Sequence, residues 1–167
     1  MKATKLLCAA VVWAFLLPGL SSRPQDKPAE FELVKKYILV ASTAWGDTGI
    51  DVQAGEEFWF EASGTVTLQK DNPVAACGPE GLNLRTKQQP LPDQNIGALV
   101  GKVREKVEVI EDKQTGEKTT RDLGEPFFIG KESRVAVSAS GRLLLGVNEN
   151  VVADNDGAFD VLIYRRK

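Results

Sequence analysis

From Phe31 onward, hydrophobic and polar residues alternate with a period of two, and no window of useful length keeps a helical period. In "EFWFEASG" (57–64), Phe58 and Phe60 fall on one face of an extended strand, with Trp59 and Glu61 on the other. "GAFDVLIYRR" (157–166) likewise sets Phe159, Val161 and Ile163 on one face. "FELVKKYILVAS" (31–42) is rich in β-branched and aromatic residues, and "IGALVGKV" (96–103) is an apolar strand of small residues. "PFFIGKESRVAVSASGRLLLGVN" (126–148) reads as two strands around a Ser140-Gly141 turn, and Ala54-Gly55-Glu56 as another turn. Roughly seven to nine short strands punctuated this way predict an all-β fold, a two-sheet jelly-roll β-sandwich.

Two stretches break the alternation. Residues 71–95 form a long polar segment rich in proline, glycine and carboxamides, and a loop that long in a compact domain is functional or disordered. "REKVEVIEDKQTGEKTTRDL" (104–123) is charge-rich with turn chemistry at its centre, which predicts an exposed hairpin insertion. Its charges read as a solvated surface or as the contact for a protein partner.

The N-terminus has a different pattern. Lys2 and Lys5 precede an apolar run from Leu6 to Leu17, then Pro18-Gly19 and small residues, the layout of a signal peptide over 1–21. Residues 22–30, with "RPQDKPAE", read as a Pro-rich linker, leaving 31–167 as the domain. This predicts a secreted or periplasmic protein with no membrane contact after cleavage. Loss of Lys2 and Lys5 takes the formal net charge from −2 to about −4, which offers no footprint for nucleic acid. It also removes Cys8, so Cys77 has no partner for an internal disulfide and reads as a small buried hydrophobe.

The chain contains no histidine. Histidine-dependent triads and histidine-ligated zinc or copper are therefore excluded, leaving oxygen chemistry for any metal. The densest oxygen cluster is "GVNENVVADNDGAFDV" (146–161), where Asn148, Glu149, Asn150, Asp154, Asn155 and Asp156 lie between two apolar strands. With Gly157 for a tight exit, such a loop suits calcium, but it equally suits a solvated Asn/Asp turn. It is not an EF-hand: in that frame Val152 and Ile163 would occupy ligand positions.

Four pieces occur in a suggestive order: "AGEEFWFEASG" (54–64), "CGPEG" (77–81), "IGALVGKV" (96–103) and "LLLGVNENVVADNDGAFDVLI" (143–163). Together they resemble the soluble calcium-dependent galactophilic lectins of bacteria, the PA-IL-like family, whose domain is a jelly roll resembling galactose-binding domains. The resemblance implies a Ca2+ site made by Glu149, Asp154 and Asn155 with backbone carbonyls at Val151 and Leu68, and sugar hydroxyls held on the cation. Glu149 stands where the family has aspartate, and Asp154 replaces an asparagine; both keep oxygen ligands. The family's histidine is missing, so its galactose specificity does not carry over. Gln94 and Asp93 are the candidate sugar contacts in the loop before "GALV", and Trp45 and Trp59 are candidate stacking faces. The resulting expectation is a non-catalytic carbohydrate-binding domain, monomeric or homo-oligomeric, with calcium at 148–156. The alternative is a sugar-independent interaction domain. No paired carboxylates, "GxSxG" or phosphate loop marks an enzyme.

Overall fold

The computed structural model describes residues 29–167; the expected signal peptide and most of the expected linker lie outside the described residues. The fold is the expected all-β sandwich. One sheet has the order β1 (Phe31–Val40), β11 (Asp156–Arg166), β3 (Glu57–Thr67). The far edge of β3 pairs with two short strands, β4 (Ala76–Cys77) and β9 (Glu132–Ala136). The facing sheet runs β2 (Gly46–Val52), β10 (Gly141–Val147), β5 (Leu99–Arg104), β8 (Pro126–Phe128). A separate ribbon joins β6 (Lys106–Glu111) to β7 (Lys118–Leu123). All pairings are antiparallel.

The period-two reading of the inner faces holds. Phe58, Phe60, Phe159, Val161 and Ile163 pack against Leu99, Val103, Leu143, Leu145 and Val147 from the facing sheet, all almost fully buried. Each such side chain stabilises the fold by about 1.5–3 kcal/mol relative to an exposed position. The sequence predicts too few strands: eleven are present among the described residues. The extra ones are short edge pieces such as β4, whose two residues become strand only because β3 offers them partners. The 71–95 segment is accordingly less irregular than expected, containing β4 and a 3-10 turn at Pro73–Ala75.

The β6–β7 hairpin is the predicted exposed insertion. Its turn is closed by Asp112, whose Oδ1 accepts from the backbone N–H groups of Gln114 and Thr115. Val107, Val109 and Ile110 stand 52%, 62% and 44% exposed.

Trp59 does not offer the expected stacking face. It is 1% exposed, packs with Phe31, Leu162 and Tyr164 on the outer side of its sheet, and donates from Nε1 to Glu61 (3.1 Å). Trp45 is half-buried, and its ring is taken by the Lys102 ammonium, 4.3 Å from the centroid. Lys102 is itself buried and donates to the Asp122 carbonyl (3.3 Å), and burial lowers its pKa.

Candidate functional site

β10 leaves the core at Val147 and β11 re-enters at Asp156, so the polar loop 148–155 crosses one end of the sandwich. Its first residue, Asn148, is wholly buried and works as a latch. Its Oδ1 accepts from Leu91 N (2.8 Å), and its Nδ2 donates to the carbonyls of Leu91 and Asn95 (both 3.0 Å). Its backbone pairs with Ala98 and Gly97. One asparagine thereby fixes the loop before β5 against the loop after β10.

Glu149 follows, half-buried, and its Oε2 accepts from Asn155 Nδ2 (2.9 Å). Asn155 is 7% exposed, and its Nδ2 also donates to Ala41 O (3.3 Å). Two acceptors on one side fix the amide's orientation. The Asn155 Oδ1 is consequently left buried with no hydrogen-bond partner among the described residues. An unsatisfied buried acceptor costs about 1–3 kcal/mol. Burial pushes the Glu149 carboxyl above its ordinary pKa, the Asn155 hydrogen bond pulls it back, and the neighbouring Asp154 charge pushes it up again.

The Asp154 side chain is exposed, while its carbonyl accepts from Lys70 N (2.7 Å). That bond brings the chain just past β3 to the same end of the sandwich. Leu68 lies there with its side chain buried against Gly97 and its N–H bonded to Ala75 O (3.0 Å). Gly97 has φ +80, and a Cβ there would stand 2.7 Å from Cys77 Sγ, so only glycine lets Cys77 and Leu68 close up beneath the loop. Gly157 provides the expected tight exit at φ +85, its would-be Cβ 2.4 Å from Thr65 O. Asp156 turns back to accept from Gly157 N (2.7 Å), as an ordinary turn residue does.

Of the residues expected to hold a metal, Glu149 and Asn155 are in direct contact. Asp154 lies close enough to act on the Glu149 charge, the Leu68 strand end is tied to the Asp154 loop, and Val151 is exposed at 68%. Among the described residues, no group of three or more His, Cys, Asp or Glu side chains is placed to share one ion. An ion here would draw on carboxamide and carbonyl oxygens as well as carboxylates.

A cleft of about 200 Å³ opens beside Glu149, walled by Thr86, Gln88, Gln89, Ile96, Asn150 and Val151. The expected sugar contacts Gln94 and Asp93 do not line it. The side chain of Asp93 is exposed, and the Gln94 carbonyl accepts from the Gln89 amide instead. The sequence reading missed Gln88, Gln89 and the latch at Asn148. The visible signal was the first polar residue after an apolar strand ("LLLGVN") and the carboxamide pair "QQP" in the same loop as Gln94.

No family model matches the chain, and no curated protein does. Among solved structures it is similar to the N-terminal domain of EclA, described as a PllA-like lectin, with a TM-score of 0.56 and 23% identity over 82% of this chain and 98% of that one. The likeness establishes the fold, a β-sandwich shared with a lectin domain.

Proposed function

We propose that this chain is a non-catalytic carbohydrate-binding domain whose ligand binds through a calcium ion at the Glu149–Asp154–Asn155 loop. The observation that carries the reading is the buried, unpartnered Asn155 Oδ1 beside a desolvated Glu149 carboxylate. A buried acceptor without a hydrogen bond, next to a half-buried carboxylate with no cationic partner among the described residues, is costly, and a hard cation relieves both. The donor set fits calcium: carboxylates of Glu149 and Asp154, the Asn155 carboxamide, and carbonyls of the Val151 and Leu68 segments. It contains no nitrogen or sulfur donor. When bound, calcium supplies charge and open coordination positions for a pair of sugar hydroxyls. The chain's own residues supply a rigid platform, because Asn148 latches the loop that carries the cleft wall.

The reading is tested by the melting temperature with excess calcium, with chelator, and with magnesium as control. A ligand at 100 times its Kd stabilises by about 2.7 kcal/mol. A calcium-specific rise that vanishes in Asp154→Ala supports the site; no shift at millimolar calcium leaves the loop a solvated turn.

A second reading, a protein-interaction domain without sugar binding, is favoured by one observation: the exposed Val107, Val109 and Ile110 on the β6–β7 ribbon. β5 begins at the Asn148 latch and ends at that ribbon, so a protein partner there would leave the loop end of the sandwich free. Export to the periplasm or medium fits both readings.

A further inference from the structure

Gln88 and Gln89 are neighbours in the wall of the cleft beside Glu149, and they are disposed oppositely. Gln89 is 5% exposed: its Nε2 donates to the carbonyls of Leu91 and Gln94, and its Oε1 accepts from the N–H and hydroxyl of Thr86. An amide has two donors and two acceptor lone pairs, so Gln89 is fully engaged and braces the 86–94 segment from within. Gln88 is exposed on that braced segment, and its carboxamide has no hydrogen-bond partner among the described residues. Asn150, on the β10–β11 loop, is likewise exposed and its carboxamide likewise unpartnered among them. The Asn148 latch ties the two loops together, so two free carboxamides from separate loops line one cleft on fixed backbones. The same wall carries carbon, with Ile96 half-buried and Val151 68% exposed.

We infer that Gln88 and Asn150 read an acetamido group, so that the ligand is a 2-acetamido sugar. The inference rests on the proposed carbohydrate site and narrows its substrate class. An acetamido group carries one N–H, one carbonyl and one methyl. A carboxamide offers the complementary carbonyl and N–H side by side, and it can meet both at once. The methyl then covers Ile96 and Val151 and takes their carbons out of water. A hydroxyl in the same place exchanges its hydrogen bonds to water for hydrogen bonds to Gln88 or Asn150, with a small net gain, and leaves Ile96 and Val151 wet. The cleft thus presents amide and carbon together, and the acetamido group is the common saccharide substituent that uses both.

The test is calorimetric titration of the purified chain in calcium with matched sugars: galactose against N-acetylgalactosamine, glucose against N-acetylglucosamine, and mannose against N-acetylmannosamine. Melting temperature with calcium is measured in parallel. Burial of one methyl group predicts a preference of about fourfold for the acetamido member of at least one pair, rising to about tenfold or more with one net hydrogen bond. Gln88→Met and Asn150→Leu keep the approximate shape of exposed side chains and remove the amides. Each is expected to bring the preference down to about fourfold or less, and the pair together to bring it there fully, while the calcium-dependent rise in melting temperature persists. Binding with no preference, with preference for the hydroxyl member in every pair, or with a tenfold preference that survives in the double variant overturns the inference and leaves the calcium-dependent sugar site standing. Binding of none of the sugars despite a calcium response overturns the carbohydrate reading and this inference with it.

Discussion

Asn155 donates its amide to Glu149 across the β10–β11 loop at 2.9 Å, and by doing so strands its own carbonyl oxygen in the interior. The two residues are six apart in sequence and belong to opposite arms of the loop. Their contact holds the two arms of the loop together.

Glu149→Gln separates structure from cation binding. The glutamine carbonyl can still accept from Asn155, and a desolvated charge beside Asp154 is gone. Without calcium the melting temperature is expected to hold or rise slightly, because the raised pKa shows that the folded state disfavours the ionised carboxyl at neutral pH. The calcium-induced stabilisation, about 2.7 kcal/mol in wild type at 100 times Kd, should fall below detection. Thermal scans with and without calcium check both halves.

Asn148→Ala removes three side-chain hydrogen bonds at a fully buried position and leaves the Leu91 N–H unmet, while the carbonyls of Leu91 and Asn95 keep only their other donors, Gln89 and Gln94 for the first and Ala98 for the second. A loss of about 2–4 kcal/mol is expected in urea unfolding. Asn148→Asp should be no better despite its shape, since a carboxylate would face the carbonyls of Leu91 and Asn95. Either variant should release the 86–96 loop and weaken ligand binding more than a change at exposed Asp93 does.

Cys77 is buried, and its thiol pKa is pushed up to about 11 by burial, with the Glu149 charge adding to the rise. Alkylation by iodoacetamide at pH 8 should proceed only as fast as the domain opens. Because the folded pKa lies above the ordinary value of 9.0, the folded state holds its proton more tightly than the unfolded one. That contribution is full below about pH 9 and is lost as pH rises toward 11. Cys77→Ala should therefore lose less stability than wild type between those pH values, although its stability at neutral pH is lower from the small cavity.

The β6–β7 ribbon packs on little. Replacing residues 108–121 with an Asn-Gly turn keeps its base at Asp122, which bonds Lys102 and Arg104. Stability should change by less than about 1 kcal/mol, and the calcium response should be unaffected. A binding partner captured by wild type and lost in this variant would place the protein contact on the removed part of the ribbon, which carries Val109 and Ile110.

The strands that make the core were legible because burial on one face imposes a period of two on "EFWFEAS" and "AFDVLIY", whatever else they touch. Trp59 shows where that reading stops. Its alternation placed it correctly opposite Phe58 and Phe60, yet an outward face is not an exposed one, and Phe31, Leu162 and Tyr164 cover it. Lys102 is the reverse case, a charged residue buried because Trp45 and the Asp122 carbonyl come to it from other elements.

By itself the sequence determined the all-β class, the two-faced strands, the exposed hairpin and the one loop dense in oxygens, because each follows from local pattern and composition. Only the tertiary structure decided which of those oxygens lack partners. Asn148 and Asn155 are the same residue type in the same loop, but Asn148 meets Leu91 and Asn95 from fifty residues or more away and is satisfied. Asn155 meets Ala41 and Glu149 and is left with a bare carbonyl. Hydrogen-bond satisfaction is a property of what the fold brings together, and no local pattern encodes it.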